Sequence, residues 1–234
     1  MLIFLDLETT GRENDDKICS IAIVYKDEYK YELINEAKKI SAEASSIHHI
    51  TNEAIQDSPK LLESEIGYFL QKHNLDDHTI VSHNIPFIIE KLLQSGITWR
   101  GDMIDTFKVT KHLIPECEFF SLQFLRYELK LYREEKELSL IYGIKDALVA
   151  HNALDDAFVV KLLYNYLHTL VDEKKMKELS FENVLLEKFS FGKYKGRYIE
   201  EICNNDTSYA RWLLQSATDI DEDIKYSINY YLEG

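Results

Sequence analysis

Phe4-Leu5-Asp6-Leu7-Glu8-Thr9-Thr10-Gly11 begins as a buried strand and ends in acid. Leu2 to Leu7 is apolar enough for a core strand, and residues two apart on a strand point to one face. Asp6 and Glu8 therefore project side by side. Burying two like charges together is costly, and a cation between them removes that cost. Hard divalent ions such as magnesium or manganese take carboxylate oxygens and suit phosphate chemistry. Gly11 gives the backbone freedom for a sharp turn after the strand. A strand running out into a solvated loop with two surface acids would read the same way, so other positions must decide.

The chain has 234 residues, 45% hydrophobic and 29% charged, which predicts a soluble protein of one ordinary domain and a small extra module. No run approaches a membrane span, and Cys19, Cys117 and Cys203 are too few and too scattered for a disulfide framework or zinc site. A cytoplasmic location is expected. Forty-one acidic against twenty-seven basic residues give a net charge of −14, the wrong sign for holding nucleic acid by broad electrostatics. Binding to phosphates would have to depend on metal ions and a few local cations.

Working outward, Ile18–Tyr25 and Tyr29–Ile34 read as a hairpin pair of strands, and a helix is expected to start at Thr51 or Asn52. Leu61, Leu62, Ile66, Phe69 and Leu70 have helical spacing. Thr79–Ser82 is a short buried strand followed by His83-Asn84-Ile85-Pro86-Phe87 and a helix, and Met103–Thr106 ends another strand. Hairpin strands followed by alternating strands and helices imply an α/β architecture with a mixed central sheet flanked by helices. The final long helix of this domain is expected from near Asn152 to about Val171. On it Asp156, Val160, Leu163 and Leu167 share a face. A carboxylate heading an apolar stripe calls for a partner, which the ion proposed for Asp6 and Glu8 would supply. His151, five residues earlier, could take a proton from water. Asp155 and Asp156 could equally be first-turn acids favoured by the helix dipole, with His151 an ordinary loop residue.

Three segments in order, Phe4–Gly11, His83-Asn84-x-x-Phe87 and His151-x-x-x-x-Asp156-Ala157, resemble the motifs of the DEDDh 3′–5′ exonucleases of the ribonuclease H-like superfamily. Ile47–Thr51 and Ile104-Asp105-Thr106 are similar to further segments of that family. Phe191–Arg197, Asp206–Leu213 and Tyr230–Glu233 resemble the tail of its exodeoxyribonuclease X-like members. The resemblance implies a ribonuclease H-like fold and removal of nucleotides from DNA 3′ ends, single-stranded by preference, in DNA repair. It further implies a two-ion magnesium or manganese site held by Asp6, Glu8 and Asp156, and His151 as general base. Thr9, Thr10 and Asn84 would meet the nucleic acid. The expected organisation is an exonuclease domain over 1–172, a connecting segment over 173–187, and a small, mainly helical C-terminal module over 188–234.

One position departs from the pattern. The family's second motif ends Phe-Asp, and this chain reads Phe87-Ile88, whose side chain offers no ligand oxygen. Glu90 is a poor substitute, because two residues turn a helical side chain by about 200°. The second ion would then be weakened, and a degenerate protein that binds nucleic-acid ends without cutting stays open, as does an RNA-trimming relative. A polymerase proofreading subunit is disfavoured by the tail. In that tail Lys188, Lys193, Lys195 and Arg197 fall in an acid-free run interleaved with Phe189, Phe191, Tyr194 and Tyr198. Lys193, Lys195 and Arg197 are candidate nucleic-acid contacts. A glycine turn over a small aromatic core would show the same residues.

Overall fold

A computed structural model describes residues 1–144, 147–216 and 220–233, and these divide into two compact units. The first comprises residues 1–110 and 118–180. Its sheet has the order β3-β2-β1-β4-β5, with β1 Leu2–Thr9, β2 Ile18–Tyr25, β3 Glu28–Leu33, β4 Thr79–Ser82 and β5 Asp102–Asp105. The first three strands pair antiparallel, whereas β4 runs parallel to both β1 and β5. The mixed sheet is the one expected from hairpin strands followed by strand–helix alternation. β2 is buried throughout, which accounts for its nearly unbroken apolar run.

Helices α1 Ala42–His48, α2 Glu65–Lys72, α3 Ile85–Gln94, α4 Thr106–Leu113, α5 Leu122–Glu128, α6 Glu135–Tyr142, α7 Ala153–His168 and α8 Glu173–Leu179 follow in order. The helix expected from Thr51 or Asn52 is absent there. The chain instead forms α1 nine or ten residues earlier, where the Ser41 hydroxyl caps it by accepting the Ala44 N–H. Asn52 serves as a clasp, its amide accepting the Ile40 N–H and donating to the Ile40 carbonyl. α7 packs across β1 and β2, and Asp156, Val160, Leu163 and Leu167 are all buried on it. The opposite side of β1 contributes Ile3, Leu5 and Leu7 to a cluster with Ile66, Leu70, Ile85, Ile88 and Leu92. Ile88 is 1% exposed there, so the position that departs from the family pattern is a core position in this chain.

The second unit comprises residues 111–117 and 181–234, with α9 Ile199–Asn205, α10 Thr207–Ser216 and α11 Glu222–Glu233. Phe189, Ile199, Ile202, Cys203, Ala210, Leu213, Ile224 and Ile228 form its core. Lys111 and Asp223 pair at 2.6 Å inside it, and the other Asp223 oxygen accepts the Val184 N–H. A buried pair this fully bonded satisfies both charges. No helix among the described residues is long and apolar enough to cross a membrane.

Candidate active site

β1 and the start of α7 bring the predicted acids together. Ligand atoms of Glu8, His151 and Asp156 all lie within 4.8 Å of one another, although Glu8 is more than 140 positions from the other two in sequence. A register irregularity between Glu8 and Thr9 in the β1–β2 pairing sits at this point, where such bulges commonly re-aim side chains. Asp6 lies two residues back on the same strand face, close enough for its carboxyl to feel the charges of Asp156 and Glu8.

The three carboxylates are electrostatically frustrated by themselves. Burial, then the charges of Asp156 and Glu8, hold the Asp6 carboxyl well above the usual range. Burial and the Asp156 charge push Glu8 up to about 7. Asp156 is raised to about 6, chiefly by burial, against the opposing pull of the His151 N–H and Gln123 amide bonds. Stacked carboxylate oxygens that resist ionisation are the donor set that a hard divalent cation relieves. The residues present fit such an ion.

His151 has a left-handed backbone (φ 61°), unusual for a residue with a side chain. Its N–H donates to Asp156 Oδ2 at 2.9 Å, which fixes this turn before α7 and leaves the imidazole exposed. The Asn152 side chain caps α7 by accepting the Leu154 and Asp155 N–H groups. Gln123 on α5 donates to the other Asp156 oxygen. Its own carbonyl accepts from Arg126, which is held in turn by Glu135 at 2.6 Å. Nothing local in the sequence marks Gln123, because it reaches Asp156 only through the packing of α5 on α7.

Glu8, Thr9, Gly11, Ser41, His48 and His151 line an open pocket, with Arg12 and Glu43 at its exposed rim. Thr9 Oγ1 donates to the Gly11 carbonyl at 2.7 Å. The Thr10 hydroxyl is buried and donates to Asp16, so Thr10 can offer a ligand little beyond its backbone. A Cβ at Gly11 would collide with the Asp16 carboxylate, which explains glycine there. Buried Lys91 donates to the Asn14 carbonyl at 2.9 Å and so fixes the far side of the same loop. His48 accepts the Ile50 N–H at Nδ1, which leaves the Nε2 proton to be donated to the Thr9 carbonyl at 3.2 Å.

Asn84 starts α3 in the left-handed region, with no side-chain cap of its own. Asp105 supplies the cap from β5, accepting the N–H groups of Asn84, Ile85 and Phe107 at 3.0 Å each. His83 is a brace: it donates to the Phe120 carbonyl at 2.7 Å, and burial pushes its pKa down to about 4. Glu90 is exposed and bonded to Gln94, and it takes no part in the acidic cluster. In the second unit Lys193 lies 3.3 Å from Asp206, Arg197 pairs with Glu201, and Lys195 is exposed.

The family described as Exonuclease matches residues 3–164, and the family described as Exodeoxyribonuclease X-like C-terminal matches residues 189–216. Exodeoxyribonuclease 10 of Escherichia coli strain K12 is 26% identical over 241 residues, covering 100% of both chains. A DNA polymerase III of PolC type from Caldanaerobacter subterraneus subsp. tengcongensis is 24% identical over 197 residues, 80% of this chain but 13% of that one. The solved structure of Exonuclease X in complex with 5′ overhanging duplex DNA has a TM-score of 0.60 at 22% identity. It covers 77% of this chain and 99% of that one. That likeness shows a shared ribonuclease H-like exonuclease fold.

Proposed function

The chain belongs to the RNase T/DEDDh family of 3′–5′ exonucleases, and on that premise we propose that it removes nucleotides from DNA 3′ ends as 5′-monophosphates. The observation that carries this reading is the convergence of Glu8, His151 and Asp156 beside an open pocket. Asp6, Glu8 and Asp156 would hold magnesium or manganese. When bound, such an ion supplies positive charge to the phosphate oxygens and lowers the pKa of water. The His151 imidazole takes the proton of the attacking water, from a backbone turn fixed by the bond of the His151 main-chain N–H to Asp156. Gln123 and the His151 N–H hold Asp156 in one orientation. The Thr9 backbone, held by His48, forms the wall against which the terminal nucleotide would rest.

Support for DNA as substrate comes from full-length relatedness to exodeoxyribonuclease 10. The test is chromatography of products from matched single-stranded DNA and RNA oligomers with each ion. Deoxynucleoside 5′-monophosphates released faster than ribonucleotides support the proposal, and faster RNA trimming overturns its substrate. Ile88 favours a second reading, a protein that binds ends without cutting. Activity that appears only in Ile88→Asp would select it.

A further inference from the structure

The second unit carries a surface that the proposed hydrolysis does not use. An antiparallel bridge between Lys188 and Tyr198 closes a loop with left-handed glycines at 192 and 196. At the loop tip Lys193 Nζ sits 4.6 Å from the Tyr194 ring centroid and 5.8 Å from that of Tyr209. Tyr209 in turn meets Trp212 at 5.8 Å between centroids. Gly192 permits this approach, since a Cβ there would come within 3.0 Å of the Tyr209 hydroxyl. Asp206 anchors the arrangement, accepting from the Tyr194 hydroxyl at 2.7 Å and pairing with Lys193. Trp212 is nonetheless 52% exposed and Phe191 36% exposed, and Lys195 and Arg211 are exposed as well.

A buried core explains Phe189 and Leu213, but it does not explain a half-exposed indole continuous with a cation over two phenol rings. Flat rings and interspersed cations are what a single-stranded nucleic acid needs: bases stack on the rings and phosphates meet the ammonium groups. The loop from Lys188 to Tyr198 contains no acid, and although Asp206 and Glu201 outside it pair with Lys193 and Arg197, Lys188 and Lys195 keep their positive charge without a carboxylate partner among the described residues. That charge complementarity selects a polyanion over an apolar peptide.

We infer that Lys193, Lys195, Tyr209 and Trp212 form a second binding site, for single-stranded nucleic acid. The inference deepens the exonuclease reading by giving the C-terminal unit a grip on the strand being shortened. Only two tryptophans are present, and Trp99 is buried away from any ligand, so a change of tryptophan emission on binding reports on Trp212.

The test titrates the full chain with a thirty-residue oligothymidylate in EDTA, following tryptophan emission and anisotropy of a dye on the DNA. Emission should be quenched in parallel with binding, and the quench should weaken as salt rises. Trp212→Phe should remove the quench, and Trp212→Ala should weaken binding roughly fivefold or more. Lys193→Gln with Lys195→Gln should reduce both affinity and its salt dependence. Binding without any quench, or with equal affinity in Trp212→Ala, overturns the inference. So does a quench by a proline-rich peptide that DNA fails to compete. Hydrolysis of the p-nitrophenyl ester of thymidine 5′-monophosphate, which spans one nucleotide, tests the exonuclease reading separately.

Discussion

Glu8→Gln removes one charge from the buried acidic cluster while keeping the shape of the side chain, and its effect on stability should change sign with the ion. Glu8 titrates at about 7 in the folded chain against an ordinary 4.5. A carboxyl whose folded pKa is raised costs stability above that pKa and nothing below the unfolded one. A tenfold change in proton affinity is worth about 1.4 kcal/mol, and screening at this partly exposed site reduces the total to about 1–2 kcal/mol. For a chain of this size about 1 kcal/mol moves Tm by roughly 2–4 °C. At pH 8 in EDTA, Glu8→Gln should therefore melt roughly 2–8 °C above wild type. Well below pH 4.5 the two should coincide. Saturating manganese stabilises a protein that binds it by about 2.7 kcal/mol at a hundredfold excess over Kd. Wild type should show that gain, and the variant, with one ligand fewer, should show much less. Thermal melts followed by circular dichroism across pH, with and without the ion, are the assay. Equal melting in EDTA at pH 8 would show that Glu8 is not a buried like charge, and an equal gain from manganese in both proteins that it is not an ion ligand.

Three further outcomes follow from the same geometry. His151→Ala should lower kcat by about 100-fold or more while leaving manganese-induced stabilisation intact, as a general base requires and a metal ligand does not. Gln123→Ala releases one Asp156 oxygen and should cost roughly 10–100-fold in metal affinity or rate, read from a manganese titration of activity. Ile88→Asp replaces a fully buried side chain, worth about 1.5–3 kcal/mol, with a carboxyl among Ile85 and Leu92. Its melting temperature in EDTA should fall by several degrees, and a variant melting with wild type would contradict the core placement of residue 88.

The parts of the site written as local pattern were legible in the sequence. Asp6 and Glu8 break an apolar strand at a spacing of two, and Asp156 heads a helical stripe whose other members are buried as the spacing requires. The sheet class was legible too, because a fully buried β2 and the short β4 announce themselves as apolar runs. What was not legible depends on contacts distant in the chain. Gln123 looks like any polar residue of a short helix until α5 is laid against α7. Asp105 resembles a strand-end acid until it is seen capping α3. The helix misplaced to Thr51 shows the limit of local signals. Ala42–His48 has no clear apolar stripe, and its start is set by the Ser41 cap, a weak signal in a run rich in serine. Ile88 was readable as a missing ligand, whereas its 1% exposure shows what the side chain does instead.

Asp6, Glu8 and Asp156 are proposed to hold the ion on which 3′–5′ exonuclease activity of this chain depends. The decisive measurement is time-resolved digestion of a 5′-labelled single-stranded DNA with magnesium or manganese, wild type beside Asp6→Ala. Wild type should give a ladder shortening from the 3′ end, abolished by EDTA and absent in the folded variant. Equal digestion by Asp6→Ala, or none by folded wild type with either ion, would contradict that proposal.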